Sequence, residues 1–147
     1  MKVGIFGSRT LKDNRVKIAI LETIQEVGAT EIITTQEPAG VCEVAQRVAK
    51  ELPLPLHLHF LNFKYLRGAF EHRSKEVIRE ADYILLIHDG KSIGTANELK
   101  LVLKAGKKHK YLKMDVVPEE KDIGFNITQD WNSPEFKGID LKDLSRG

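Results

Sequence analysis

The chain has 147 residues, of which 41% are hydrophobic and 30% are charged, and its formal net charge is +2 at pH 7. This length fits one domain, and the apolar fraction is too high for a disordered chain. No apolar run approaches the roughly 20 residues that a membrane helix needs, and the single cysteine excludes a disulfide framework. The N-terminus does not resemble a signal peptide. We therefore expect a cytoplasmic protein without a membrane partner.

The small net charge is unevenly distributed along the chain. Residues 112–147 hold five basic and eight acidic side chains, which gives −3, so residues 1–111 carry +5. A basic body of this kind attracts phosphates or nucleic acid. The densest basic stretch runs from Lys100 to Lys113, but no arginine and aromatic side chains alternate beside it as in many nucleic-acid interfaces. A solvated helix end is the favoured interpretation of this stretch.

The first half of the chain alternates between short apolar runs and helical periodicity. A buried strand is predicted over 2–6, and a helix from Asp13 that ends at Gly28. A second strand is predicted over 31–35, and an apolar stripe at helical spacing follows over 41–52.

The same alternation continues through the second half. Residues 56–60 alternate between apolar side chains and histidines, which is typical of a half-exposed edge strand. A helix over about 69–81, a strand over 83–87, a helix over about 95–105 and a strand over 109–112 complete the pattern.

Repeated strand and helix segments predict an α/β fold, namely a Rossmann-like, doubly wound, mainly parallel five-stranded sheet. Residues 1–112 form this domain in our interpretation. Residues 113–147 break the pattern and are predicted to form a C-terminal arm with one more short strand near 124–127. Its apolar residues are suited to an oligomer interface; they are Phe125, Trp131 and Phe136.

Ligands of open α/β sheets bind beyond the carboxyl ends of the strands. The loop after the first predicted strand, Gly7-Ser8-Arg9-Thr10, offers flexible backbone, hydroxyls and a guanidinium that suit phosphate oxygens. The alternative is a plain turn with a surface arginine.

The loop after the fourth predicted strand is the second candidate site. Its predicted ligand-binding residues are Asp89, Gly90, Ser92, Gly94 and Thr95. The glycines allow close approach of a ligand to the backbone, and the next helix presents free N–H groups. The alternative is a capping box in which Thr95 and Glu98 serve only the helix end.

Arg73 is the third candidate, because an arginine on a near-apolar helix face usually has an anionic partner. The alternative is a structural salt bridge to Glu98 or Asp82.

His57 and His59 fall on one strand face, but no cysteine or carboxylate follows at metal-site spacing. We therefore expect no metal site and no cofactor.

Three stretches of the chain resemble one protein family. They are KVGIFGSRT, AGVCEVAQRVAKE and EHRSKEVIREADYILLIHDGKSIGTANE, and they resemble the SLOG superfamily of Rossmann-like proteins, especially its small YspA-like branch. Relatives include the LOG-type phosphoribohydrolases and the DNA-processing protein DprA. The resemblance covers residues 1 to about 112, and it implies a homo-oligomer, a dimer or a higher assembly.

The resemblance implies a nucleotide or nucleotide-derived ligand on Gly7-Ser8-Arg9 and Gly94-Thr95. A sensor that binds this ligand without turnover is the leading hypothesis. The alternatives are an N-glycosidic-bond hydrolase or transferase that acts on nucleoside monophosphates with Arg73 and Glu98 as catalytic residues, and a DprA-like nucleic-acid role. The segment 36–42 departs from the family pattern, because it lacks a double glycine and an aspartate and contains Glu37. Glu37 would bring a negative charge close to a bound phosphate, so the departure favours the sensor.

Overall fold

The computed structural model describes residues 1–118 of the chain. Five parallel strands form one sheet in the order β3-β2-β1-β4-β5. The strands are β1 (Lys2–Gly7), β2 (Glu31–Thr35), β3 (Leu56–His59), β4 (Tyr83–His88) and β5 (His109–Lys113). The helices are α1 (Asn14–Val27), α2 (Val41–Glu51), α3 (Ala69–Glu80) and α4 (Ile93–Ala105). The predicted Rossmann-like, doubly wound α/β fold is therefore confirmed.

The sheet is covered on both faces. On one face α1 and α2 pack on side chains such as Ile5 and Leu85, and on the other α3 and α4 pack on Phe6 and Leu86. Consecutive residues of β1 and β4 thus point into different cores, which is why these strands are almost continuously apolar. The alternating strand β3 lies at the sheet edge, as its sequence predicts.

The chain order places a crevice beside the central strand. After β1 the chain adds β2 and β3 on one side, and then it returns to place β4 on the other side of β1. The loops after β1 and β4 therefore leave the sheet side by side at their carboxyl ends. This is the position where doubly wound folds bind ligands.

Two local features differ from the predicted pattern. A short 3₁₀ segment, Phe63–Gly68, precedes α3, and it contains Leu66 with a φ of 50°. The helix α4 begins at Ile93, two residues before the predicted start. The predicted strand near 124–127, together with Phe125, Trp131 and Phe136, lies outside the described residues.

No helix within residues 1–118 has both the length and the apolar character required to cross a membrane.

Candidate functional site

A cleft of about 440 Å³ lies at the carboxyl ends of β1, β2 and β4. It is bounded by the loops after these strands and by the first turns of α2, α3 and α4. The lining residues are Gly7, Ser8, Arg9, Thr10, Thr35, Glu37, Cys42, Phe70, Arg73, Ser92, Ile93, Gly94, Thr95 and Glu98. The fold thus brings together the loops after β1 and β4, whose residues Ser8 and Asp89 are 81 positions apart along the chain.

Two glycines allow the first loop to pack closely against α2. A side chain at Gly7 would collide with Val41, and a side chain at Gly40 would collide with the backbone of Ser8 and Arg9. Gly40 also has a φ of 74°, which only glycine adopts without strain. The Val41 amide donates to the Ser8 carbonyl oxygen at 3.2 Å. The loop that carries Arg9 is therefore held against the start of α2.

Asp89 joins the two loops that border the cleft. Its carboxylate accepts hydrogen bonds from the Thr10 hydroxyl at 2.6 Å and from the amides of Lys91 and Ser92 at 2.8 and 2.7 Å. The Asp89 amide in turn donates to the Ser8 hydroxyl at 3.0 Å. Burial raises the pKa of Asp89, but these hydrogen bonds outweigh burial, so the carboxyl stays ionised.

The predicted loop residues therefore divide into two groups. Gly7, Arg9, Gly94 and Thr95 line the cleft, and Gly94 has open space where a side chain would stand. Ser8 and Ser92 also line it, although their polar groups are engaged with Asp89. Asp89 and Gly90 are not among the lining residues of this cleft, and Gly90, with a φ of 85°, lies in the turn after β4.

Glu98 is not part of a capping box. The residue before α4 is Ser92, so Thr95 and Glu98 both lie inside the helix rather than at its cap and third position. The Ser92 hydroxyl donates to Asp89 at 3.2 Å and does not cap the helix. The first amides of α4 consequently have no intrahelical acceptors, and the residues that carry them, Ile93, Gly94 and Thr95, line the cleft together with Glu98.

Arg73 is buried, with 5% of its surface exposed, and it pairs with Glu37. Its Nη2 donates to Glu37 Oε2 at 2.9 Å, and Arg9 donates to the other oxygen, Oε1, through Nε at 2.8 Å and through Nη2. The salt-bridge alternative for Arg73 named Glu98 or Asp82, but Glu37 is the carboxylate that accepts its hydrogen bond. Asp82 accepts instead from the Lys2 amide at 2.8 Å. Arg73 Nε has no hydrogen-bond partner among residues 1–118.

The two glutamates of the cleft have opposite pKa shifts. Burial raises the pKa of Glu98 to about 8, and the negative charge of Glu37 adds to this, while Arg73 and the Ser74 hydroxyl oppose it. Burial also raises the pKa of Glu37, but the hydrogen bonds from Arg73 and Arg9 outweigh burial and bring it below its usual range. At neutral pH Glu37 is ionised, whereas Glu98 is mostly protonated.

A second cavity of about 550 Å³ adjoins the cleft, and Phe70, Arg73, Gly94 and Glu98 line both. Phe70 is 58% exposed, and its ring lies 5.4 Å from the Arg73 guanidinium carbon. Sequence reasoning did not select Phe70. The available signal was a large aromatic side chain in the first turn of the helix that carries Arg73.

The lysine-rich stretch does not form one free basic surface. The Lys107 ammonium donates to the Ala81 carbonyl oxygen at 2.6 Å, and Lys110 pairs with Glu26 on α1. Lys100 and Lys104 line the cavity that adjoins the cleft. The stretch is thus divided between the two faces of the sheet.

Searches against models of protein families, curated proteins and solved structures found no match for this chain. The resemblance to the SLOG superfamily therefore stays a prediction from the sequence.

Proposed function

We propose that the cleft binds a nucleotide or a nucleotide-derived anion. The charge balance of the cleft supports this proposal most strongly. Arg9 and Arg73 contribute two positive charges and Glu37 one negative charge, while Glu98 is mostly neutral at pH 7. The net charge is therefore one positive, and the N-terminal amides of α4 add the positive end of a helix dipole.

The shape of the site agrees with a ligand that has an anionic end and a flat end. In this proposal the phosphate lies against Arg9 and the first turn of α4, where Gly94 leaves room for it. The base lies in the adjoining cavity against the exposed ring of Phe70, since an aromatic ring can stack on any nucleobase. Arg73 and Glu98, which line both cavities, then face the sugar between them.

Isothermal titration of adenosine 5′-monophosphate and of adenosine tests the phosphate contact. We expect the monophosphate to bind at least about tenfold more tightly than the nucleoside, because a charge-assisted contact contributes about 1.5–3 kcal/mol. Arg9→Gln should remove most of this difference. Arg47→Gln is the matched control, since Arg47 is also an exposed arginine paired with one glutamate, Glu43 on α2.

Equal affinity for nucleotide and nucleoside would contradict the proposed phosphate site. If Arg9→Gln and Arg47→Gln lowered the affinity for the monophosphate equally, the phosphate site would also be contradicted. Arg9 would then act only through the general surface charge. Both variants should retain the thermal unfolding midpoint of the wild type within a few degrees, since each loses one exposed ion pair.

A second candidate function, cleavage of an N-glycosidic bond, is favoured by the opposed pKa values of Glu98 and Glu37. A carboxyl with a pKa of about 8 serves as a general acid at neutral pH. Glu98 would protonate the departing base as the bond to the sugar breaks. Water would then add to the sugar carbon and return a proton to the Glu98 carboxylate, which restores the starting state.

Base release from nucleoside monophosphates, followed by chromatography, separates an enzyme from a sensor. If Glu98 is the general acid, Glu98→Gln should lower the rate of release by at least about 100-fold. Nucleotide affinity should change less than threefold, because the amide keeps the size of the carboxyl. Saturable binding by the wild type without base release would exclude the hydrolase and leave a sensor.

A further inference from the structure

Two imidazoles and a carboxylate meet at the edge of the sheet, away from the cleft lining. His57 and His59 lie two residues apart on β3, so their side chains share one face of the strand. Glu80, the last residue of α3, lies against the same face. The sequence shows no carboxylate at metal-site spacing from the two histidines. Glu80 lies 21 residues beyond His59, and the fold brings it next to them.

The donor atoms of the three side chains lie close together. His57 Nδ1 lies 2.5 Å from Glu80 Oε2, and His59 Nε2 lies 2.6 Å from Oε1. The two rings are stacked, with centroids 4.5 Å apart. One ligand atom from each residue falls within 4.8 Å of the others. Tetrahedral Zn²⁺ with bonds near 2.1 Å places its ligands about 3.4 Å apart, so small rotations of these side chains suffice.

The donor set of the cluster also suits a cation. Glu80 supplies carboxylate oxygens, and a neutral imidazole supplies one nitrogen lone pair. Two imidazoles with one carboxylate select transition metals over Mg²⁺ and Ca²⁺, which prefer oxygen ligands.

We propose that His57, His59 and Glu80 bind a divalent transition-metal ion of the zinc type. The His57 side chain is 47% exposed, so the ion reaches the site from solvent and water completes its coordination. Glu80 and His59 are more buried and fix the geometry. The bound ion cross-links the edge strand β3 to the end of α3. This site is independent of the function proposed for the cleft.

Titration of untagged, chelator-treated protein tests the site directly. ZnCl₂ is followed by calorimetry, and CoCl₂ by its visible absorption bands, which report the coordination geometry. We expect one ion per chain in both titrations and a thermal unfolding midpoint that rises with ZnCl₂. His57→Gln and Glu80→Gln should each lower the affinity at least about tenfold, since even outer-shell substitutions cost this much.

His72→Gln is the matched control. His72 lies on the same helix and pairs with Glu76 at 3.4 Å, but no second imidazole joins this pair in the part of the chain that the structure describes. The affinity of the His72→Gln variant for zinc should stay within twofold of the wild-type value. Chelator-treated His57→Gln should unfold close to the wild-type temperature, because His57 is exposed, and this shows that the variant folds.

Two results would overturn the proposal. One is the absence of saturable zinc binding by the wild type, which would leave the cluster as a hydrogen-bonded group only. The other is binding that His57→Gln and Glu80→Gln leave unchanged, which would assign the ion to another site.

Discussion

Replacing Glu37 with alanine is expected to lower the free energy of unfolding by about 3 kcal/mol. The substitution removes the only carboxylate within hydrogen-bond distance of Arg73 in the described part of the chain. Arg73 is buried, and its Nε already lacks a partner, so its charge would then be poorly compensated. Removal of one member of a buried ion pair costs more than the pair itself contributes, because the other charge cannot return to water.

Glu43→Ala is the control for this stability measurement. Glu43 pairs with Arg47 at 3.0 Å on the exposed surface of α2, where a pair of this spacing contributes about 0.3–0.5 kcal/mol. Urea unfolding of the two variants should therefore give clearly different losses. Equal losses would contradict the assignment of Glu37 as the counterion of a buried arginine.

The isosteric change Glu37→Gln should raise the affinity of the cleft for an anionic ligand, whereas Arg9→Gln should lower it. It removes one negative charge from the cleft and leaves Arg9 and Arg73 with a neutral hydrogen-bond acceptor. We expect adenosine 5′-monophosphate to bind about tenfold more tightly than in the wild type, while the affinity for adenosine stays unchanged. Weaker binding of the monophosphate would show that Glu37 assists the ligand rather than competes with it.

The stability of the wild type should fall by on the order of 3 kcal/mol between pH 5 and pH 9 because of Glu98. Burial raises the pKa of Glu98 to about 8 in the folded state, against 4.5 in the unfolded chain. In this window the folded protein retains a proton that the unfolded chain has released, so stability decreases as the pH rises. The contribution of Glu98 to the free energy of unfolding is complete below pH 4.5 and is lost once the pH passes about 8.

Glu98→Gln cannot titrate, so it should gain stability relative to the wild type as the pH rises. The measurement is the thermal unfolding midpoint of both proteins at several values from pH 5 to pH 9. Glu71→Gln is the control, because the hydrogen bond from Lys75 lowers the pKa of the exposed Glu71 carboxyl and it stays ionised throughout. Parallel curves for Glu98→Gln and the wild type would contradict the protonated state of Glu98.

The sheet was predictable because its signals are local. The run 31–35 contains four consecutive β-branched side chains, two isoleucines and two threonines, which favour a strand, and it forms β2 with the predicted bounds. The alternation at 56–60 likewise places β3 at the edge. The 3₁₀ segment Phe63–Gly68 could not be predicted, because it has neither helical nor strand periodicity.

The composition of the cleft was predictable in part. The loops after β1 and β4 were selected because carboxyl ends of parallel strands meet at one edge, and they do lie side by side. The pair between Glu37 and Arg73 joins positions 36 residues apart, and it depends on how α3 packs across the end of β2. Hydrophobic periodicity predicts helices and strands, but it carries no information about a contact between distant positions of this kind. The carboxylate that joins His57 and His59 was missed for the same reason.

The central claim is that a nucleotide-like anion binds between the loops after β1 and β4. A titration of isotopically labelled, chelator-treated protein with adenosine 5′-monophosphate, followed by assigned ¹H–¹⁵N spectra, tests it most directly. We predict saturable shifts of the backbone amides in the segments 7–10 and 93–95, with smaller changes elsewhere. Shifts that leave both segments unaffected, or no shift at millimolar nucleotide, would contradict the claim.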